Sequence, residues 1–472
     1  MKNNILFSIF NVIFNTIVPI LVFPYVARVL GVEALGKYSF YASAQSYLLL
    51  FSSFGVSIYG VKEMGQMKKA NKEKSELYSQ LISINLLTSL LCSIFILYIA
   101  FFSEYSNDWK IILVFAFSLI SSVLGPDWYF IANEKQKYLL IRNIIFKVLF
   151  ILSIFLFIRK SEDLLAYVII TVLGTYGTSI INFFIIRKEL DIKIDFGTRT
   201  FGHLKPLFGI FLIEILLRFL GLGDVILLGR IKGDVSTGYY SMALKVILLA
   251  ISIMNVTATT LLPRASFYLS NNQKEDFKCL TQRSLSILFN VGGLLFLLLF
   301  WNADFIILLL GGEKFYHSIE VLRILSITLL VIPIINTLVF QVLYAKNRIF
   351  MLVIIYIFIL VLNISLNLFL IPKYDFFGTA YSFLITYFVL FVILIMNKKE
   401  NLLIYFSKDI FKILGAIIAT FVLTYLLINI FNSVNFVIKG FYIFFLYVFI
   451  LLSLKEKVLL SLCLIIKNAF ND

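Results

Sequence analysis

The chain has 472 residues, of which 61% are hydrophobic and 14% charged, and its mean hydropathy is +0.98. A soluble domain carries about a quarter of its residues as charges, so these values exclude one and indicate a polytopic α-helical membrane protein. The net charge of +15 does not indicate nucleic acid as a partner, because the cations sit in short clusters between apolar runs, where the positive-inside rule puts them in cytoplasmic loops.

The first apolar run, 5–30, carries Pro19, Pro24 and, near its far end, Arg28. Proline removes a backbone donor and favours a kink. A turn over 31–36 leads to a second span ending near Tyr59. Lys62, Lys68, Lys69, Lys72 and Lys74 follow, whereas the next loop, 103–109, carries Glu104 and Asp108 and no cation. The first loop is therefore expected in the cytoplasm and the second outside. Spans three to six are expected at 77–102, 110–132, 138–158 and 163–186. The fourth ends in Gly125-Pro-Asp-Trp-Tyr-Phe130, whose Asp127 reads as structural or as marking the cytoplasmic end. The connection from Arg187 to Lys205 holds five cations, is expected inside, and divides the chain. Spans seven and eight flank the turn 229–238. Then come a basic loop at 263–283, spans at 284–310 and 318–344 (with Pro333), a turn with Lys346 and Arg348, and spans at 349–371 and 376–396 joined by an outer turn with Pro372. A polar turn at 397–401 precedes two last spans, 410–431 and 436–454, and a tail with Lys455, Lys457 and Lys467. The expected total is about fourteen spans, each needing ~20 apolar residues, with both termini cytoplasmic.

Two turns echo each other. Leu30-Gly31, four residues, then Gly36-Lys-Tyr-Ser39 is matched by Leu228-Gly229, eight residues, then Gly238-Tyr-Tyr-Ser241. An even number of spans per half gives parallel repeats. The expected organisation is a six-helix lobe over 1–187, a cytoplasmic linker over 188–205, a second six-helix lobe over 206–397, and two additional helices with a tail over 398–472. Two such bundles enclose a central cavity, with spans seven and eight on the second bundle's side. Cys92, Cys279 and Cys463 show no disulfide or metal spacing, His203 and His317 stand apart, and no phosphate-binding Gly-rich loop is present. Neither a cofactor nor a metal is expected.

The segment 24–39, Pro-Tyr-Val-Ala-Arg-Val-Leu-Gly-Val-Glu-Ala-Leu-Gly-Lys-Tyr-Ser, then Gly125-Pro-Asp-Trp-Tyr-Phe130 with Glu134, Leu228-Gly229 with Gly238-Tyr-Tyr-Ser241, and Phe377-Gly-Thr-Ala-Tyr381 give the chain its resemblance. It resembles the Wzx-type polysaccharide repeat-unit flippases of the multidrug/oligosaccharidyl-lipid/polysaccharide (MOP) superfamily. The resemblance implies two six-helix lobes around a cavity open to one membrane face at a time. It also implies a substrate, an oligosaccharide on undecaprenyl pyrophosphate, moved from the inner to the outer leaflet for surface polysaccharide synthesis. A polysaccharide polymerase and chain-length proteins are the implied protein partners, and the protein is expected not to be an enzyme.

Ionisable residues inside spans are costly and usually face a cavity or each other. Arg218 leads these candidates. It lies about thirteen residues from Lys205, so ~20 Å deep at about 1.5 Å per residue, and its guanidinium fork suits phosphate oxygens. Glu214 is one turn away on the same face, as an ion-pair partner or a group coupling transport to protons or sodium. Asp224 is a second coupling candidate that has Arg230 as an alternative partner. Lys245, Lys147 and Arg28 are further candidates for substrate binding, with Arg323 as a weaker one; snorkelling to the interface is the alternative for Lys245 and Arg28. Rival readings are a peptidoglycan lipid-precursor flippase, a multidrug or cation antiporter of the same superfamily, and, in a different class, a membrane polysaccharide polymerase. A cation exporter would favour acids in its cavity, and a polymerase a long outer loop, for which the short outer connections leave little room.

Overall fold

The structure, a computed structural model, describes residues 2–67, 71–397, 402–430 and 436–456. Lys68, Lys69, Cys463, the tail residues Lys457 and Lys467, and most of the polar turn 397–401 lie outside them. Among the described residues the regular structure is all helix, with no strand. Hydrocarbon offers backbone groups no partner, so spanning segments must satisfy their own hydrogen bonds, as helices do. Contacts divide the chain into two compact units, 1–238 and 239–472.

The first unit contains α1 (Lys2–Ser53), α2 (Val56–Gln66), α3 (Asn71–Phe102), α4 (Trp109–Leu124), α5 (Asp127–Ala132), α6 (Gln136–Phe157), α7 (Leu164–Tyr176), α8 (Thr178–Glu189), α9 (Thr198–Gly202) and α10 (Leu204–Lys232). α1 packs on α6, α4, α3 and α10, and α3 on α4. One core gathers Tyr78, Leu81, Trp128, Phe130, Leu139 and Leu207. Another gathers Ile96, Ala100, Phe115, Leu119, Val168 and Val172. The outward faces remain apolar: on α3, Leu91, Ile94 and Phe102 are 61%, 66% and 78% exposed. Contiguous apolar surface of this kind suits acyl chains rather than water.

The second unit begins within α11 (Asp234–Ser270) and continues through α12 (Lys274–Trp301), α13 (Ala303–Gly311), α14 (Ser318–Ser326), α15 (Ile332–Asn336), α16 (Ile349–Ile395), α17 (Lys408–Ile430) and α18 (Phe436–Ser453). Its core includes Leu285, Leu297, Leu322, Leu325, Leu338 and Phe383. A π-helical stretch, Thr337–Tyr344, follows Pro333. The C-terminal pair α17–α18 docks on α12: Phe421 stacks on Phe296 at 5.9 Å, the Tyr447 hydroxyl donates to Asn290 Oδ1 at 3.0 Å, and Lys439 Nζ donates to the Trp301 carbonyl at 2.8 Å.

Helix length and composition alone do not reproduce the expected count of about fourteen spans. Eight helices are long and apolar enough to cross a membrane among the described residues, or nine if the bent pair 318–330 and 332–344 is one span. Two of the eight fold back at a single residue: α1 breaks at Gly31 and α16 at Asp375. The expected fourth span stops at Leu124 and resumes as α5 after Gly125-Pro126.

The turn repeat is closer than the sequence comparison implied, and its register is different. Gly31 has φ 78°, ψ −175° and Gly233 has φ 82°, ψ −169°, a conformation open essentially to glycine alone. Gly229, the expected counterpart of Gly31, lies inside α10. With Gly233 as the counterpart, both turns read Gly, four residues, Gly, one residue, Tyr-Ser. Gly312 repeats the same angles in the second unit, at φ 72°, ψ −170°. The packing is reciprocal. A Cβ on Gly36 would lie 1.8 Å from the Asp234 carbonyl oxygen, and one on Gly238 would lie 2.2 Å from the Val32 carbonyl oxygen. Asp234 and Val32 hold equivalent places after their turn glycines.

Gly36→Ala is therefore expected to destabilise the protein by about 1–3 kcal/mol, the usual cost of overpacking, seen as a lower melting temperature in detergent; an unchanged melting temperature would contradict the reciprocal packing. A second prediction concerns His203, which caps α10 outside the apolar segments. Its Nδ1 is 2.9 Å from the Tyr59 hydroxyl and its Nε2 is 3.1 Å from Gln80 Oε1, so a neutral ring with its hydrogen on Nε2 satisfies both. Burial lowers its pKa, with Glu63 opposing. The unfolded chain then takes up a proton more readily than the folded one. Stability is expected to fall as pH drops below about 6.5 and to level off below the folded pKa. His203→Gln should flatten that part of the stability–pH curve.

Candidate functional site: a polar cavity in the first unit

A cavity of about 720 Å³ opens among α1, α2, α3, α4, α5, α7, α8 and α10. Its charged lining residues are Asp127, Glu214 and Arg218, and its polar wall is largely serine and threonine. α10 packs on α1 and α2 in the first unit, so Glu214 and Arg218 meet residues of the N-terminal helices there.

α10 is broken immediately after Arg218. Leu220 has an extended ψ of 120° and Gly221 a φ of 97°. A break strands backbone carbonyls on one side and N–H groups on the other. The Tyr47 hydroxyl lies 3.3 Å from the carbonyls of both Arg218 and Phe219. On the far side, the Gly221 N–H donates to Asp224 Oδ2 at 3.2 Å, with Asp224 fully buried. The break is thus capped from both ends by side chains and holds Arg218 exposed at the cavity wall.

The motif Gly125-Pro-Asp-Trp builds the opposite wall. Gly125 allows α8 to approach: a Cβ there would lie 2.2 Å from the Ser179 carbonyl oxygen. Pro126 cannot continue α4, so the chain turns and α5 starts at Asp127. Trp128 fills the core beside Gly60. Asp127 makes a bidentate pair with Arg142, at 2.8 and 2.9 Å, and accepts from Asn182 Nδ2 at 2.9 Å. Arg142 is 4% exposed, and its five N–H donors are matched by Asp127, Asn182 and Asn143. Tyr138 donates to Asn182 Oδ1, and Asn182 donates to the Gly125 carbonyl. Asp127 is therefore structural, as expected, while also facing the cavity with its side chain 49% exposed.

Of the sequence candidates, Arg218 and Glu214 share the cavity. Asp224 supports the break in α10, and Arg230 pairs with Glu104 and faces Tyr105. Lys147 lies over the Phe150 ring at 5.5 Å and Arg28 is exposed on α1; neither lines this cavity. Lys245 lies half-buried on α11 in the second unit. Arg323 pairs with Glu320 on α14. Arg142, Asn182 and Tyr47 support the cavity wall and were passed over in the sequence reasoning. A signal for Arg142 existed, an ionisable residue in an apolar run, but it lies only six residues from Gln136 and reads as interfacial. Asn182 and Tyr47 carry no charge to mark them.

The family model described as "Polysaccharide biosynthesis protein" matches residues 1–269, more than half of the chain. The chain belongs to the polysaccharide biosynthesis protein family. A second model, MatE, matches this family member over 210–369. A relative from Escherichia coli (strain K12), named "Putative O-antigen transporter", is 24% identical over 336 residues, covering 71% of this chain and 81% of the relative. A relative of the same name from Shigella dysenteriae is 24% identical over 190 residues, 40% of this chain and 48% of the relative. Among solved structures, "Lipid II flippase MurJ, inward closed conformation" is similar with a TM-score of 0.75 at 20% identity, covering 94% of this chain and 98% of that one. An inward-facing multidrug resistance MATE family transporter of the MOP superfamily matches with a TM-score of 0.66 at 12% identity, covering 83% and 95%. The family member thus has the fold of MOP-superfamily transporters, as its turn motifs led one to expect.

The Asp127–Arg142 pair yields a stability prediction. Arg142 is buried but Asp127 is half exposed, so removing Asp127 leaves one buried charge uncompensated, at up to about 3 kcal/mol, the lower end of the range for a fully buried pair. Asp127→Ala is expected to lower stability by that order, whereas Asp127→Asn with Arg142→Met, which removes both charges, should recover most of the loss in thermal unfolding. Equal losses for the two variants would contradict the pairing.

Proposed function

We propose that the protein is a flippase for undecaprenyl-pyrophosphate-linked oligosaccharide repeat units, moving them from the inner to the outer leaflet of the cytoplasmic membrane by alternating access for O-antigen or capsule synthesis. The observation that carries the reading is Arg218, exposed in a 720 Å³ polar cavity at a capped break in a helix. Non-helical backbone is tolerated at membrane depth where it is packed in protein or lines a cavity, and transporters place substrate groups at such broken helices. A guanidinium there suits a lipid pyrophosphate, and the hydroxyl-lined wall suits sugars. Family membership, the names of the relatives and the fold shared with a lipid flippase support the same reading.

Arg218 is assigned the pyrophosphate, with Arg28, Lys147 and Lys245 as further cations along its route and Glu214 as the group for charge pairing or ion coupling. Asp224 keeps its place as a second coupling candidate. Both termini lie in the cytoplasm, the lobes are 1–187 and 206–397 joined by 188–205, and the partners are a polysaccharide polymerase and chain-length proteins. The protein is a transporter and not an enzyme. One observation favours a second reading: Glu214 and Asp127 both line the cavity, which suits a cation antiporter.

The test is leaflet-to-leaflet movement of a fluorescent undecaprenyl-pyrophosphate oligosaccharide in proteoliposomes. A charge-assisted hydrogen bond contributes about 1.5–3 kcal/mol, so folded Arg218→Ala should transport roughly 10- to 100-fold more slowly. Unchanged transport would remove Arg218 from the site and keep the function. No transport by the wild type, with efflux of a cationic dye, would select the antiporter.

A further inference from the structure

The cavity wall has a hydrogen-bond polarity that charge alone does not reveal. Five of its hydroxyls donate to main-chain carbonyls three or four residues back, three within α1 or α4 and two, on α8, to the last turn of α7. Ser46 donates to Ala42 at 2.8 Å, Ser53 to Leu50 at 3.2 Å, Ser121 to Ser118 at 2.5 Å, Thr178 to Thr175 at 3.4 Å and Ser179 to Tyr176 at 2.7 Å. A hydroxyl has one hydrogen and two lone pairs. With the hydrogen committed to the helix, each of these residues offers the cavity acceptors.

Asp127 extends the pattern. An ionised carboxylate is acceptor-only, with about four lone-pair positions. Arg142 and Asn182 occupy both positions on Oδ1, and Arg142 one on Oδ2. One position on Oδ2 is left, on a side chain half exposed to the cavity. Arg142 cannot turn to a ligand, because it is buried and its five donors are matched. Glu214 adds a second carboxylate to the wall, and Arg218 is its one cationic donor.

We infer that this wall is a subsite for the sugar head group that selects donor-rich residues, neutral or amino sugars, and rejects acidic ones; the inference rests on the flippase reading. The cavity also meets Ser57, Asn85, Thr175 and Tyr176, but along the Asp127 side a sugar hydroxyl, an acetamido N–H or an ammonium supplies the hydrogen that Asp127 and the five back-bonded hydroxyls do not. A uronic acid carboxylate supplies none at neutral pH, and it would meet Asp127 and the back-bonded hydroxyls with lone pairs opposed. A buried polar group left without a partner is costly, and sites built on hydrogen-bond complementarity discriminate strongly on that ground. Arg218 remains for the pyrophosphate, so the two chemistries separate within one cavity. Arg142 acts as a positioning residue that holds the Asp127 carboxylate and aims its open edge.

The test compares two undecaprenyl-pyrophosphate disaccharides in the same proteoliposomes, one ending in N-acetylglucosamine and one in glucuronic acid. Wild-type protein is expected to move the neutral lipid at least tenfold faster. In Asp127→Asn with Arg142→Met, which places an amide donor at the open edge, the ratio should contract severalfold. The wild-type comparison needs no variant, so it decides the matter even if the double variant fails to fold. Equal or faster movement of the glucuronic acid lipid overturns this inference and leaves the flippase reading standing. Movement of neither lipid overturns the flippase reading and the inference with it.

Discussion

A guanidinium in an apolar helix must find its counter-charge and its acceptors inside the protein, and the first unit is built to supply them to Arg142. Five donors need five acceptor contacts, and Asp127, Asn182 and Asn143 provide them from three helices. Each partner needs a particular backbone path. Asp127 is in place because Pro126 ends α4, and Asn182 because Gly125 lets α8 come close. The pair ties α5, α6 and α8 together where the cavity wall needs a fixed carboxylate.

The same constraint governs the backbone. A helix broken in hydrocarbon exposes unpaired groups, so breaks occur where something caps them. In α10 the caps are the Tyr47 hydroxyl and the Asp224 carboxylate. At the helix-pair turns, Gly31, Gly233 and Gly312 reverse the chain in one nearly identical conformation. Asp375 does so within α16 at φ 55°, ψ −137°, without a glycine's freedom. The breaks are therefore of two kinds: single-residue reversals that pair helices, at three glycines and at Asp375, and a side-chain-capped break that presents Arg218.

Side-chain hydrogen bonds also decide what the cavity offers. Serine and threonine in helices bond back to the preceding turn, which is how they tolerate an apolar setting. That local satisfaction has a consequence for recognition, since a hydroxyl that donates to its own helix presents lone pairs to a ligand. The cavity is mixed, with apolar side chains such as Leu49, Ile58 and Ile131 beside hydroxyls that present acceptors and a guanidinium at the break in α10.

Composition and run length by themselves determined that the chain is an all-helical membrane protein, because hydrocarbon permits little else for long apolar segments. The turn motif was legible because only glycine takes that backbone conformation; its register was not, since Gly229 and Gly233 both stand near the turn and φ does not show in a sequence. Arg218 and Glu214 were legible as deep charges on one helix face. Their grouping with Asp127 was decided by tertiary structure, which brings residues about ninety positions apart to one wall. Arg142 needed the structure most: its partners lie fifteen and forty residues away, and a buried charge is read correctly only when the groups that compensate it are in view.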